Sequence, residues 1–176
     1  QLATDIEGHP DNVAPAIFGG FTVNTVTNGF VESFSFLPRI FLRFVVMVPD
    51  FYLSTKSARQ VLPAQVPMKD AVFNISHAAM MVAALAHGSE KHLENVFEDA
   101  LHQNYRAPLI PGMFDVFAAA KKAGAYGAAL SGAGPCLIAF VPEHRNCTED
   151  VAAAMQEAFC THDIEAHPLH LRLDTK

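Results

Sequence analysis

The sequence predicts an α+β fold, a two-layer sandwich in which a mainly antiparallel sheet carries helices on one face. Two observations lead there. Alternating, β-branched segments crowd the first fifty residues, helix-period segments fill the middle, and a strand–turn–strand–helix–strand order closes the chain. At 176 residues and 51% hydrophobic content, the chain suffices for one well-packed unit and is too short for two of ordinary size.

Taken in order, residues 1–7 look helical and begin without a methionine, as a cut through an element would. Residues 13–18 form an apolar helical turn that Gly19-Gly20 stops. Residues 21–27 and 30–36 alternate around Asn28-Gly29, a hairpin signal, and 41–48 read as a buried central strand. Ser54 or Thr55 opens a short helix over 55–62 that Pro63 closes. Longer helices are expected over 69–87, ended by Gly88, over 93–102, with Leu93, Val96, Phe97, Ala100 and Leu101 on one face, and over 113–123. Strands at 128–130 and 136–141 flank a glycine-rich turn. Thr148 is expected to cap a helix running to Phe159, and 169–173 closes as a strand.

Charge and cysteine usage narrow the function. A net charge of −6, with twelve scattered Lys and Arg, argues against a nucleic-acid binder. No apolar run reaches the ~18–20 residues a membrane helix needs, and no segment reads as a signal peptide. Cys136, Cys147 and Cys160 show neither a CxxC pair nor zinc spacing with histidine, so they read as small buried hydrophobes in a reducing, cytoplasmic setting. His167 and His170 show no metal-ligand spacing.

Two stretches call for explanation. In Glu7-Gly8-His9-Pro10-Asp11-Asn12, polar side chains crowd the approach to a helical turn. Either Asp11 or Asn12 is an N-cap and His9-Pro10 a turn, or this is a polar ligand site. Residues 127–135, GAALSGAGP, string small residues between two strands. Their successive N–H groups with the Ser131 hydroxyl form either an anion cradle or a plain glycine hairpin. No GK[ST] follows, and no GxGxxG opens a helix, so this is neither a P-loop nor a dinucleotide fingerprint.

Together these stretches resemble a known family. EGHPDNVAPAIFGG at 7–20 is similar to the signature of homoserine kinases, and GAYGAALSGAGP at 124–135 looks like the C-terminal glycine-rich motif of the GHMP kinases. LSTKSARQVLP at 53–63 and NYRAPLIPG at 104–112 match in order between them. The resemblance implies a ferredoxin-like C-terminal domain over 28–176, with 1–27 belonging to the tail of an N-terminal domain. It implies transfer of the ATP γ-phosphoryl group to the hydroxyl of L-homoserine, with magnesium. Arg59 and Arg106 would then bind the substrate carboxylate, with Thr55 one helical turn before Arg59. Asp11 would meet the ammonium and Asn12 the reacting hydroxyl, while His9 would touch substrate or order its loop. Ser131, Gly132, Ala133 and Gly134 would brace the phosphate end. The magnesium ligand stays open between a position equivalent to Gln1 and Glu7.

The family's PxxxGLGSS phosphate loop has no counterpart in this sequence, so the chain alone is expected to be inactive. A GHMP kinase for another alcohol and a non-catalytic small-molecule-binding module are the competing readings. A homodimer is left open.

Overall fold

Asn28 and Gly29 both take positive φ, 54° and 81°, the geometry that lets a two-residue loop follow the strands' right-handed twist. The computed structural model describes residues 1–175; Lys176, the last residue of the expected 28–176 domain, lies outside them. Around that turn β1 (Phe21–Thr27) and β2 (Phe30–Phe36) pair antiparallel along their whole length, from Thr27 opposite Phe30 to Phe21 opposite Phe36. Two short helices precede them, α1 (Leu2–Glu7) and α2 (Val13–Phe18), and α2 packs on the hairpin. The two strands form a sheet of their own.

The main sheet has four antiparallel strands in the order β4-β5-β3-β6. Its centre is β3 (Leu42–Pro49), flanked by β5 (Leu137–Pro142) and β6 (Ala166–Arg172), with β4 (Gly127–Leu130) outside β5. Side chains two residues apart share a face. Val45 and Met47 of β3 therefore point to one side with Leu137, Ala139 and Val141 of β5, all five fully buried. Onto that side pack α7 (Met113–Lys122), through Met113, Val116 and Ala120, and α8 (Thr148–Cys160), through Val151, Met155 and Phe159. This is the expected two-layer arrangement. On the opposite side Phe44 and Phe140 meet edge-on at 5.2 Å and pack with Phe97 and Leu85. Leu85 lies near the end of α4 (Met68–His87), whose last turn closes on Gly88 in the left-handed conformation. The Arg39 N–H donates to the Leu85 carbonyl and the Gly20 N–H to the Asp174 carbonyl, tying the hairpin unit to the larger one.

α3 (Thr55–Gln60) opens as expected, with Ser54 Oγ accepting the Ser57 N–H at 3.0 Å. Four expectations need correction. The 93–102 helix does not form: α5 (Glu90–Leu93) is a single turn, and irregular chain follows as far as α6 (Gln103–Arg106). The Asp99 carboxylate and the Asn74 amide capture the backbone N–H groups of Ala100, His102 and Gln103 that a continuous helix would use. Thr148 is the first helical residue of α8 rather than its cap, which is Cys147 and makes no side-chain cap bond. β6 starts at Ala166, three residues early, because Pro168 sits on a sheet-edge strand that tolerates a missing N–H. Of the cysteines only Cys147 is a buried hydrophobe; Cys136 is half-buried and Cys160 exposed.

Candidate active site

Arg106 ends α6, and its guanidinium spans two segments far away in sequence. Nε donates to the Ala58 carbonyl at 3.1 Å, and Nη1 donates to the Gly132 carbonyl at 3.2 Å. One turn earlier, His102 brings Nδ1 within 3.5 Å of Nη1. Arg106 thereby joins α3 to the glycine-rich turn. Ala58 is fully buried under α3, while its neighbours Thr55 and Arg59, one helical turn apart, stay exposed. Burial lowers the pKa of Arg106; Asp99 opposes this and the Arg59 guanidinium adds to it, which puts both arginines in one electrostatic locale.

In the glycine-rich turn Ser131 N–H donates to the Cys136 carbonyl at 2.9 Å and Gly134 N–H to the Ser131 carbonyl at 3.1 Å. The Gly132 and Ala133 N–H groups have no partner among the described residues. A Cβ built on Gly132 (φ +61°) would meet nothing within 4 Å, whereas one on Gly134 (φ +87°) would lie 2.8 Å from Ile110 Cδ1. Gly134 thus sits in a crowded, left-handed position against the ends of the Ile110 and Leu130 side chains, and the tip at Gly132 and Ala133 is open. An open tip with two unspent N–H donors suits an anionic oxygen.

Among the described residues no hydrogen bond or ion pair joins His9, Asp11 or Asn12 to Thr55, Arg59 or Arg106. Asn12 occupies the N-cap position of α2, yet its side chain makes no cap bond, and both it and Asp11 are exposed. His9 is half-buried, with Nδ1 shielded from water and unbonded. Asn12 is thus the N-cap by position but without the side-chain bond that would make capping its role, and the polar groups of this stretch remain unspent.

Sequence reasoning missed the supports behind Arg106. Gln103 is 3% exposed; its Oε1 accepts the Leu130 N–H at 2.8 Å, fixing the strand that leads into the turn. Asp99 accepts the His102 and Gln103 N–H groups at 2.7 and 2.6 Å and the Asn74 amide at 2.5 Å. Burial pushes the Asp99 carboxyl up, but these donors prevail and hold it below the usual carboxylate value. Burial also lowers His102, with Asp99 opposing and Arg106 reinforcing. An aspartate three residues before His-Gln, where a helix was expected, was the available signal. A cavity of about 550 Å³ between Phe97 and Phe117 contains none of the predicted site residues.

Residues 80–164 match the family model described as GHMP kinases C terminal. The whole chain aligns at 42% identity with the homoserine kinase of Desulfitobacterium hafniense, covering 59% of that protein. The chain belongs to the GHMP kinases. Among other GHMP kinases, it is 48% identical over 159 residues to the homoserine kinase of Moorella thermoacetica, covering 90% of this chain and 53% of the relative. The crystal structure of homoserine kinase from Cytophaga hutchinsonii superposes with a TM-score of 0.89 at 27% identity, over 96% of this chain and 53% of that one. The mevalonate kinase of L. major, in complex with R-mevalonate, shares the fold, with a TM-score of 0.69 at 15% identity over 93% of this chain and 52% of that one. The chain thus spans little more than half the length of the relatives it matches.

Proposed function

We propose that this chain is the C-terminal part of a homoserine kinase, which moves the ATP γ-phosphoryl group to the side-chain hydroxyl of L-homoserine. The observation that carries this is Arg106, which touches both α3 beside Arg59 and the open glycine-rich turn. A substrate that is zwitterionic at one end and alcoholic at the other needs that combination: a forked cation for its carboxylate, and donors where phosphate arrives. Arg59 and Arg106 hold the carboxylate with Thr55 beside them. Gly132 and Ala133 offer N–H groups at the phosphate end, with Ser131 and Gly134 shaping the turn. Asp11 meets the ammonium, Asn12 aligns the hydroxyl, and His9, whose Nδ1 is unbonded, contacts substrate beside them. An amide has no pKa suited to a general base, so Asn12 acts by alignment, which a loose phosphoryl-transfer transition state rewards.

Magnesium accompanies ATP in this chemistry. Such an ion is held by one or two carboxylates together with the phosphates rather than by an all-protein cage, and its protein ligand stays open between Glu7 and the position of Gln1. Residues 1–27 go with an N-terminal domain; because β1 is paired to β2 throughout, the hairpin to Phe36 goes with them. No helix of the described residues is long and apolar enough to cross a membrane.

The test is ADP release by the full-length protein with ATP, magnesium and a panel of alcohols. Homoserine should give the highest kcat/KM. Preference for mevalonate or another alcohol lacking an amino-acid head would overturn the substrate assignment.

A further inference from the structure

We propose that Asn74, Asp99 and Gln103 form a positioning strap that sets Arg106 and the 131–134 turn for substrate, an inference that rests on the carboxylate role given to Arg106 above. The strap starts on α4, where the Asn74 amide faces the 99–100 peptide in both senses. Its Nδ2 donates to Asp99 Oδ1 at 2.5 Å, and its Oδ1 accepts the Ala100 N–H at 2.8 Å. The second carboxylate oxygen of Asp99 takes the two N–H groups that open α6. From that fixed start, Gln103 and Arg106 lie three residues apart, so they project from one side of the turn. Gln103 holds the Leu130 N–H and Arg106 holds the Gly132 carbonyl, so two bonds from a single helical turn grip the chain on both sides of Ser131. The Asp99 side chain is 8% exposed, and Gln103 is the buried polar residue of the described core. Buried polar groups satisfied this completely are costly to misplace, and they specify one arrangement. α4 is thereby connected to the substrate clamp and the phosphate turn without touching either ligand.

The hydrogen-bond polarity supplies a test. In Asp99→Asn, one acceptor oxygen becomes an NH₂ and confronts either the Asn74 amide or the N–H groups of α6. Adding Asn74→Asp restores the pairs with position 74, Ala100 and α6, because a carboxylate at position 74 would accept both from the Ala100 N–H and from the new amide at position 99; the 3.5 Å contact of His102 Nε2 with Asp99 Oδ1 is the one left unrestored. In the full-length protein D99N should raise the homoserine KM about ten-fold or more, and the ATP KM should rise with it, because the phosphate turn is loosened together with the clamp. The N74D/D99N pair should recover most of that loss. Amide hydrogen exchange at Leu130, some thirty residues away, should quicken about ten-fold in D99N and return in the pair. Gln103→Met keeps the volume and leaves the Asp99 contacts alone, so it covers the case in which D99N does not fold. It too should speed Leu130 exchange and raise the homoserine KM. Unchanged Leu130 exchange and homoserine KM in a folded D99N or Q103M, or a double variant that restores neither, overturns the strap. If the wild type ignores homoserine but Leu130 exchange follows this pattern, the substrate reading fails and the strap stands.

Discussion

Under the proposed function, single residues divide between those assigned to substrate alone and those that also hold the fold. Asn12 makes no cap bond, so removing its side chain removes no stabilising interaction seen here. Asn12→Ala should leave the melting temperature unchanged. Its kcat should fall on the order of 10–100-fold, because alignment of the reacting hydroxyl is lost. Steady-state kinetics and thermal melting of the same variant decide this, and a lower melting temperature with intact kcat would return Asn12 to a structural role. Arg59 and Arg106 separate in the same way. Leaving a desolvated carboxylate unpaired costs about 2–5 kcal/mol, so either change to Ala should lower kcat/KM for homoserine about thirty- to several-thousand-fold. Only Arg106 also bonds two backbone carbonyls. Arg106→Ala should therefore lose about 1–3 kcal/mol in urea denaturation, while exposed Arg59→Ala stays within ~0.5 kcal/mol. Equal stability losses would show that the Arg106 bridge is not formed in solution.

At the level of elements, the glycine-rich turn and the strap around Asp99 each carry an expectation. Gly132 and Gly134 both have positive φ, but only Gly134 is hemmed in, by Ile110 and Leu130. Gly132→Ala should cost about 1 kcal/mol for the left-handed backbone. Gly134→Ala should add about 1–3 kcal/mol of overpacking against fully buried Ile110. Denaturant midpoints compare the two, and equal costs would mean that the turn relaxes freely. Asp99 has a folded pKa below its ordinary value of 3.8. Its stabilisation is therefore complete above the unfolded value and is lost as pH falls through the folded one. Urea midpoints taken from pH 6 down toward pH 2 should fall less steeply below about pH 4 in Asp99→Asn than in the wild type. Parallel curves would mean that Asp99 does not titrate with unfolding. The same strap shows why sequence reading stopped where it did. The Asn28-Gly29 hairpin, the Ser54 cap and the Gly88 stop are local devices, and all three were legible. The break at Asp99 depends on Asn74, 25 residues away across a tertiary contact, so helical periodicity over 93–102 misled. Arg59 and Arg106 stood out through the motifs around them, whereas Gln103 had no local mark, because its partner Leu130 meets it only in the fold.

For the whole molecule, the distribution of apolar surface matters more than its amount. The core between the four-stranded sheet and α7 and α8 is closed, but the hairpin and α4 are not covered. Phe30 and Phe34, on one face of β2, are 71% and 67% exposed. Met68, Val72 and Ile75 fall at helical spacing along α4 and are 78%, 58% and 69% exposed. Soluble monomers seldom leave such stripes open, since covering each large side chain is favourable by about 1.5–3 kcal/mol. Relatives in this family carry two fifths or more of their length outside the matched region. Expressed as these 176 residues, the polypeptide should therefore fold its sheet core yet self-associate through α4 and the hairpin. Sedimentation should show mass rising with concentration, and Val72→Glu with Ile75→Glu should shift it toward monomer. The sheet core should be unaffected, because neither residue contributes to it. With ATP, magnesium and homoserine the same polypeptide should release no ADP above background, since it carries the residues proposed as clamp and turn but no counterpart of the PxxxGLGSS phosphate loop. A chain that stays monomeric at every concentration would show that these stripes are tolerated in water. Sustained ADP release would show that the residues described here are sufficient for turnover.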